Sequence, residues 1–84
     1  MTNPLIMQMQ INLQSAKKEY QEYELKAMRL ITEIQGYALP YFKSPELLEA
    51  EKIEQCGDEL LIVKDKLIEI QRCINTLKKE LGEC

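Results

Sequence analysis

Histidine and tryptophan are both absent from the 84 residues. Without histidine the chain lacks the commonest general base near neutral pH and the commonest transition-metal ligand. Glycine, proline and cysteine occur three times each, and they form no glycine-rich phosphate loop, no C-x-x-C pair and no nucleophile signature. No run of about 18 apolar residues is present to span a bilayer. The first residues carry neither the basic stretch nor the continuous apolar core of a secretory signal, so the expected compartment is the cytoplasm. Lysine and arginine total 11 against 14 acids, for a net charge of −3. They are dispersed among those acids, which argues against a nucleic-acid partner, because phosphate binding rests on a clustered basic face. These absences lead us to expect no catalytic residues, no cofactor, no metal site and no small-molecule substrate.

What the chain has is periodicity. Ile53, Cys56, Leu60, Val63, Leu67, Ile70, Ile74, Leu77 and Leu81 follow one another by alternating steps of three and four, an unbroken heptad seam. Ile6, Met9, Leu13, Ala16, Tyr20, Tyr23, Ala27, Leu30 and Ile34 repeat the pattern in the first half. Two matching seams predict an all-α fold, an antiparallel two-helix hairpin of coiled-coil type, as one domain over residues 1–84. At 45% hydrophobic and 30% charged residues, the composition suits an ordered helical protein near the lower size limit for a single core.

Asn3-Pro4 reads as an N-cap followed by the first helical residue. The first helix is expected over about residues 4–35, with Gly36 as a left-handed stop. Met7 to Gln14 alternates apolar with polar residues at a period of two, a strand signature. We read the segment as helix because Met, Gln and Leu favour helix and the 3.5-residue period continues to Ile34. No charge precedes Lys17, and Met7 and Ile11 lie on the outer side of this segment. Farther along, Glu22 with Lys26 and Arg29 with Glu33 are spaced for solvated ion pairs, while Leu25 and Met28 fall outside the seam.

The turn, Gly36 to Ser44, is unusually apolar and contains Tyr37, Leu39, Tyr41 and Phe42. These side chains either plug the open end of the hairpin or present a docking surface. Ser44-Pro45 then repeats the cap logic, and a second helix is expected over about residues 45–81, ending at Gly82. Six acids and one lysine occupy residues 46 to 59, whereas Lys78 and Lys79 lie near the far end. This gradient complements the helix dipole. Leu47, Ala50 and Ile53 step by three, which local overwinding would absorb. Centring the turn near residue 40 makes partner numbers add to about 80, placing Tyr23 opposite Cys56 and Gly57 and giving that glycine a reason.

Cysteines 56, 73 and 84 form an odd set. Cys56 and Cys73 would lie about 25 Å apart along one helix, beyond disulfide reach, so reduced thiols are expected. Cys56 reads as a small core residue. Glu51, Glu54 and Asp58 share a helical spacing but lack the neutral oxygen ligands that a calcium-type site adds.

Apolar residues remain that one pair of helices does not bury: Leu25, Met28 and Ile31 beside the first seam, and Leu61, Ile62 and Ile68 beside the second. A four-helix bundle buries about three positions in seven, so association is expected, with dimerisation the economical route. The function expected is a non-enzymatic protein–protein interaction module, an adaptor, inhibitor or small chaperone, whose partner is a homo-oligomer or a heterologous helix. The candidate partner-binding residues are Met7, Ile11, Leu25, Met28, Leu61, Ile68, Tyr37, Tyr41 and Phe42. The alternative is a purely structural, self-assembling homo-oligomeric bundle. In size, acidity and shape such a hairpin resembles the small hairpin chaperones of bacterial secretion systems.

Overall fold

The computed structural model describes residues 3–82. Helix α1 runs Pro4–Ala38 and helix α2 runs Ala50–Glu80, joined by two single 3₁₀ turns at Leu39–Tyr41 and Pro45–Leu47. The two helices pack side by side and antiparallel in a molecule 67 × 19 × 14 Å in extent. The period-two stretch from Met7 to Gln14 lies within α1.

Helix α1 starts as its sequence predicts. The Asn3 side-chain oxygen accepts a hydrogen bond from the Leu5 amide at 2.9 Å, with Pro4 at the first helical position. It ends three residues later than expected, because Gly36 is an ordinary helical residue rather than a left-handed stop. Tyr37 explains the extension. It lies three residues beyond Ile34, continues the seam, and packs against the cluster of Leu30, Cys56 and Val63. Burying part of a tyrosine outweighs the ~1 kcal/mol that a mid-helix glycine costs. Pro40 then lacks the amide that would continue the ladder.

Helix α2 starts later than its sequence suggests. Ser44 makes no side-chain cap, Pro45–Leu47 forms only one 3₁₀ turn, and Leu48 is extended (φ −63°, ψ 131°) before α2 begins at Ala50. The steps of three at Leu47, Ala50 and Ile53 are therefore resolved by breaking the helix, not by overwinding it. At the other end Gly82 adopts φ +79°, and its amide donates to the Lys79 carbonyl.

The seams face each other. Leu13, Leu30, Cys56, Val63, Ile70 and Ile74 are buried. Leu13 groups with Ile70 and Ile74, Leu30 groups with Cys56 and Val63, and Tyr23 touches both groups. Of the predicted seam residues only Ile6 is exposed, at 43%.

The register differs from expectation. Partner numbers add to 89 for Glu33 with Cys56 and for Tyr37 with Lys52, not to about 80. The cause is the later exit from α1 and the later entry into α2, which move the centre of the turn from near residue 40 to near residue 44. A slip close to one heptad leaves the same side chains facing inward while changing their opposites. Tyr23 consequently packs where the two buried groups adjoin, touching both. A Cβ built on Gly57 meets nothing within 4 Å, so the hairpin itself supplies no reason for that glycine.

Candidate interaction surface

The heptad frame assigns the exposed residues that flank the seams to one of two broad faces, with an outer edge along each helix between them, since in an antiparallel pair the flanks beside like seam positions meet on the same side. On one face, Lys17, Tyr20, Gln21 and Glu24 of α1 line a shallow groove with Gln71, Ile74 and Lys78 of α2. Ile68 and Asn75 border the neighbouring groove beside Tyr20 and Leu67. Extending this frame along both helices gathers Met7, Gln10, Gln14, Gln21, Met28, Ile31 and Gln35 of α1 with Gly57, Leu61, Ile68, Gln71 and Asn75 of α2. This amide-rich face has few charges: Lys17, Glu24, Glu54, Lys64 and Lys78. The opposite face holds Glu19, Glu22, Lys26, Arg29, Glu33, Lys52, Glu59, Lys66, Glu69 and Glu80, and its groove is lined by Ser15, Lys18, Glu19, Glu22, Tyr23 and Lys26.

Large apolar side chains concentrate on the amide-rich face and its α1 edge. Met28 is 58% exposed, Leu61 57% and Ile68 42%, with Ile31 beside Met28 and Leu25 on the adjoining edge. In the observed register Met28 is level with Leu61, and Gln21 with Ile68. Met7 and Ile11, also exposed, line an apolar groove with Gln10 and Gln14 farther along the same helix. Four of the sequence-derived candidates, Met7, Met28, Leu61 and Ile68, thus lie on this face and two, Ile11 and Leu25, on the adjoining α1 edge, in two patches separated by Lys17, Lys18, Gln21 and Glu24. Ile62, on the opposite face, is an isolated exposed residue of the kind any surface carries.

The aromatic turn divides. Tyr37 is a half-buried core contact, because the extended α1 carries it inward. The Lys52 ammonium sits 5.5 Å from its ring centroid and 2.8 Å from Glu49 Oε2, pinning the start of α2 to the end of α1. The hydrogen bond and charge of Glu49 raise the Lys52 pKa above its ordinary value. Tyr41 is half-buried, whereas Phe42 is 85% exposed. Leu39 and Leu47 join Phe42 at the exposed tip. Leu47 was hidden from sequence reasoning because its spacing from Ile53 made it look like seam.

Among the described residues the ion pairs are Glu49–Lys52 and Lys66–Glu69. The expected pairs Glu22–Lys26 and Arg29–Glu33 do not form. Glu33 turns toward α2 instead and accepts a hydrogen bond from the buried Cys56 thiol at 3.6 Å. Burial, followed by the Glu33 hydrogen bond and charge, pushes that thiol's pKa up. A protonated thiol is a weak nucleophile, so the geometry at Cys56 favours packing over reactivity. Cys73 is exposed, while Cys84 lies outside the described residues.

Among the described residues no group of three or more Cys, Asp or Glu is gathered to hold a metal ion and no helix is long and apolar enough to cross a membrane. Comparison with protein-family models, with curated proteins and with solved structures finds no match to this chain, and its functional reading rests on the residues themselves.

Proposed function

We propose that this protein is a non-enzymatic interaction module that acts by helix packing, its amide-rich face completing a bundle with an apolar helical surface and its exposed tip adding a second contact. The observation that carries this reading is the concentration of Met28, Ile31, Leu61 and Ile68 on the face with the fewer charges. Interfaces are distinguished by depletion of charge at their centre and by large flexible apolar side chains, methionine among them. Full burial of each such side chain is worth up to about 1.5–3 kcal/mol, enough for a few of them to drive association. An adaptor, an inhibitor or a small chaperone shielding an amphipathic helix would each work this way.

The test uses a tagged chain in the cells that make it, treated with a short photoreactive cross-linker and compared with a Leu61→Glu, Ile68→Glu variant of preserved helicity. We expect discrete adducts that the variant loses. Identical adducts from both chains, or none from either, would sink the reading.

A further inference from the structure

Resting on that reading, we infer that the occupant of the amide-rich face is a second copy of this chain, related by a two-fold axis parallel to the hairpin. Such an axis lays α1 of each copy antiparallel on α2 of the other. It preserves the level of every residue, so the contact between copies repeats the register that the chain uses within itself. Three separate features of the structure then acquire a reason.

The first is Gly57. Beyond its own turn of helix, nothing lies within 4 Å of the position its Cβ would occupy, and the residue level with it on α1 is Ile31, exposed on the same face. In the two-fold arrangement Ile31 of each copy comes down on Gly57 of the other, where only hydrogen leaves room. The second is the pair Met28 and Leu61, 58% and 57% exposed at one level. Within a chain they point outward from neighbouring helices; between copies each Met28 covers a Leu61. The third is charge. Glu24 and Lys64 lie at nearly the same level of this face, and among the described residues neither is in an ion pair. The two-fold axis sets Glu24 of each copy against Lys64 of the other. Toward the open end, Gln21 meets Ile68 and Gln14 meets Asn75, leaving no charge directly opposed to its like along this stretch.

Size is adequate. A stable interface takes about 800 Å² from each partner, and this face runs along a molecule 67 Å long and 19 Å wide. The opposite, charged face offers no comparable match, because its exposed large apolar side chains, Leu5 near the start of α1 and Ile62 among Glu59, Lys66 and Glu69, stand far apart.

Light scattering after gel filtration, in reductant and from about 5 to 200 μM, reads the outcome. Twice the chain mass is expected for the native protein and for Ile62→Glu, which alters only the charged face. Gly57→Leu fills the receiving site at a position whose Cβ meets nothing else in the hairpin and should weaken association by roughly tenfold or more, with helicity unchanged by circular dichroism. Glu24→Lys and Lys64→Glu should each weaken it, and the two together should restore it. A native chain that is monomeric at the top concentration would overturn the second-copy inference. The module reading would still stand if Leu61-dependent cross-links to another protein persisted, and both would fall if they did not. A dimer that Ile62→Glu dissociates, or that Gly57→Leu and the charge exchanges leave intact, would overturn the assignment to this face.

Discussion

At the scale of single residues, two glycines and a thiol separate what serves the hairpin from what does not. Gly36 and Gly57 both sit inside helices with open space around them. Gly36→Ala should therefore stabilise the hairpin by about 1 kcal/mol, with a rise in Tm of roughly 4–8 °C by circular dichroism and no change in association. Gly57→Ala should bring the same gain to a dilute chain but weaken association at high concentration, since it narrows the site into which Ile31 fits. Cys56 predicts a pH dependence. Its folded pKa is raised above the ordinary value of 9.0, so the native state keeps a proton that the unfolded chain releases first. That contribution to stability is fully present below the ordinary thiol range and is lost as pH rises through the folded pKa. Urea midpoints measured from pH 7.5 to 10 should fall more for the native chain than for Cys56→Val. If the two slopes coincide, the thiol is not the titrating group.

At the scale of elements, the seams were legible in the sequence because burial leaves a periodic mark. Every residue of the second seam lies inward, and all of the first except Ile6. Leu30 and Leu25 illustrate the energetic difference on one helix. Leu30, 2% exposed, is clasped by Cys56 and Val63, so Leu30→Ala should cost about 2–5 kcal/mol. Leu25→Ala, at 65% exposure, should stay within about 0.5 kcal/mol. Chemical denaturation of both variants checks this, and comparable losses would mean that Leu25 is packed in solution. The element ends were less legible. Asn3-Pro4 acts as a cap as read, yet the stop at Gly36 and the start at Ser44-Pro45 both give way to later positions in the chain, Ala38 and Ala50. In each case a tertiary contact or a seam phase competed with a local signal. Tyr37 drew α1 past its glycine, and the spacing of Ile53 kept α2 from joining the turn that precedes it.

At the scale of the whole molecule, the hairpin is a thin, elongated object, 67 Å long with a Cα radius of gyration of 18.8 Å, and a pair of helices leaves one flank of each uncovered. A side-by-side dimer about an axis parallel to the hairpin keeps that length and doubles the thickness. Small-angle scattering should therefore give a maximum dimension set by one hairpin, with a cross-section that grows as the protein self-associates; an end-to-end assembly would lengthen instead.

Helix content, antiparallel pairing, the inward residues and the list of apolar side chains left outside all follow from sequence alone. They depend on spacing along one helix, which the chain carries with it wherever it folds. The register between the helices, the recruitment of Tyr37 to the core and the levels at which Met28 meets Leu61 and Ile31 meets Gly57 were decided only in the tertiary structure. A shift of about one heptad leaves every seam residue facing inward, so periodicity does not distinguish one register from the next. That choice is made by how far α1 runs before it turns, and it sets which side chains stand level across the pair.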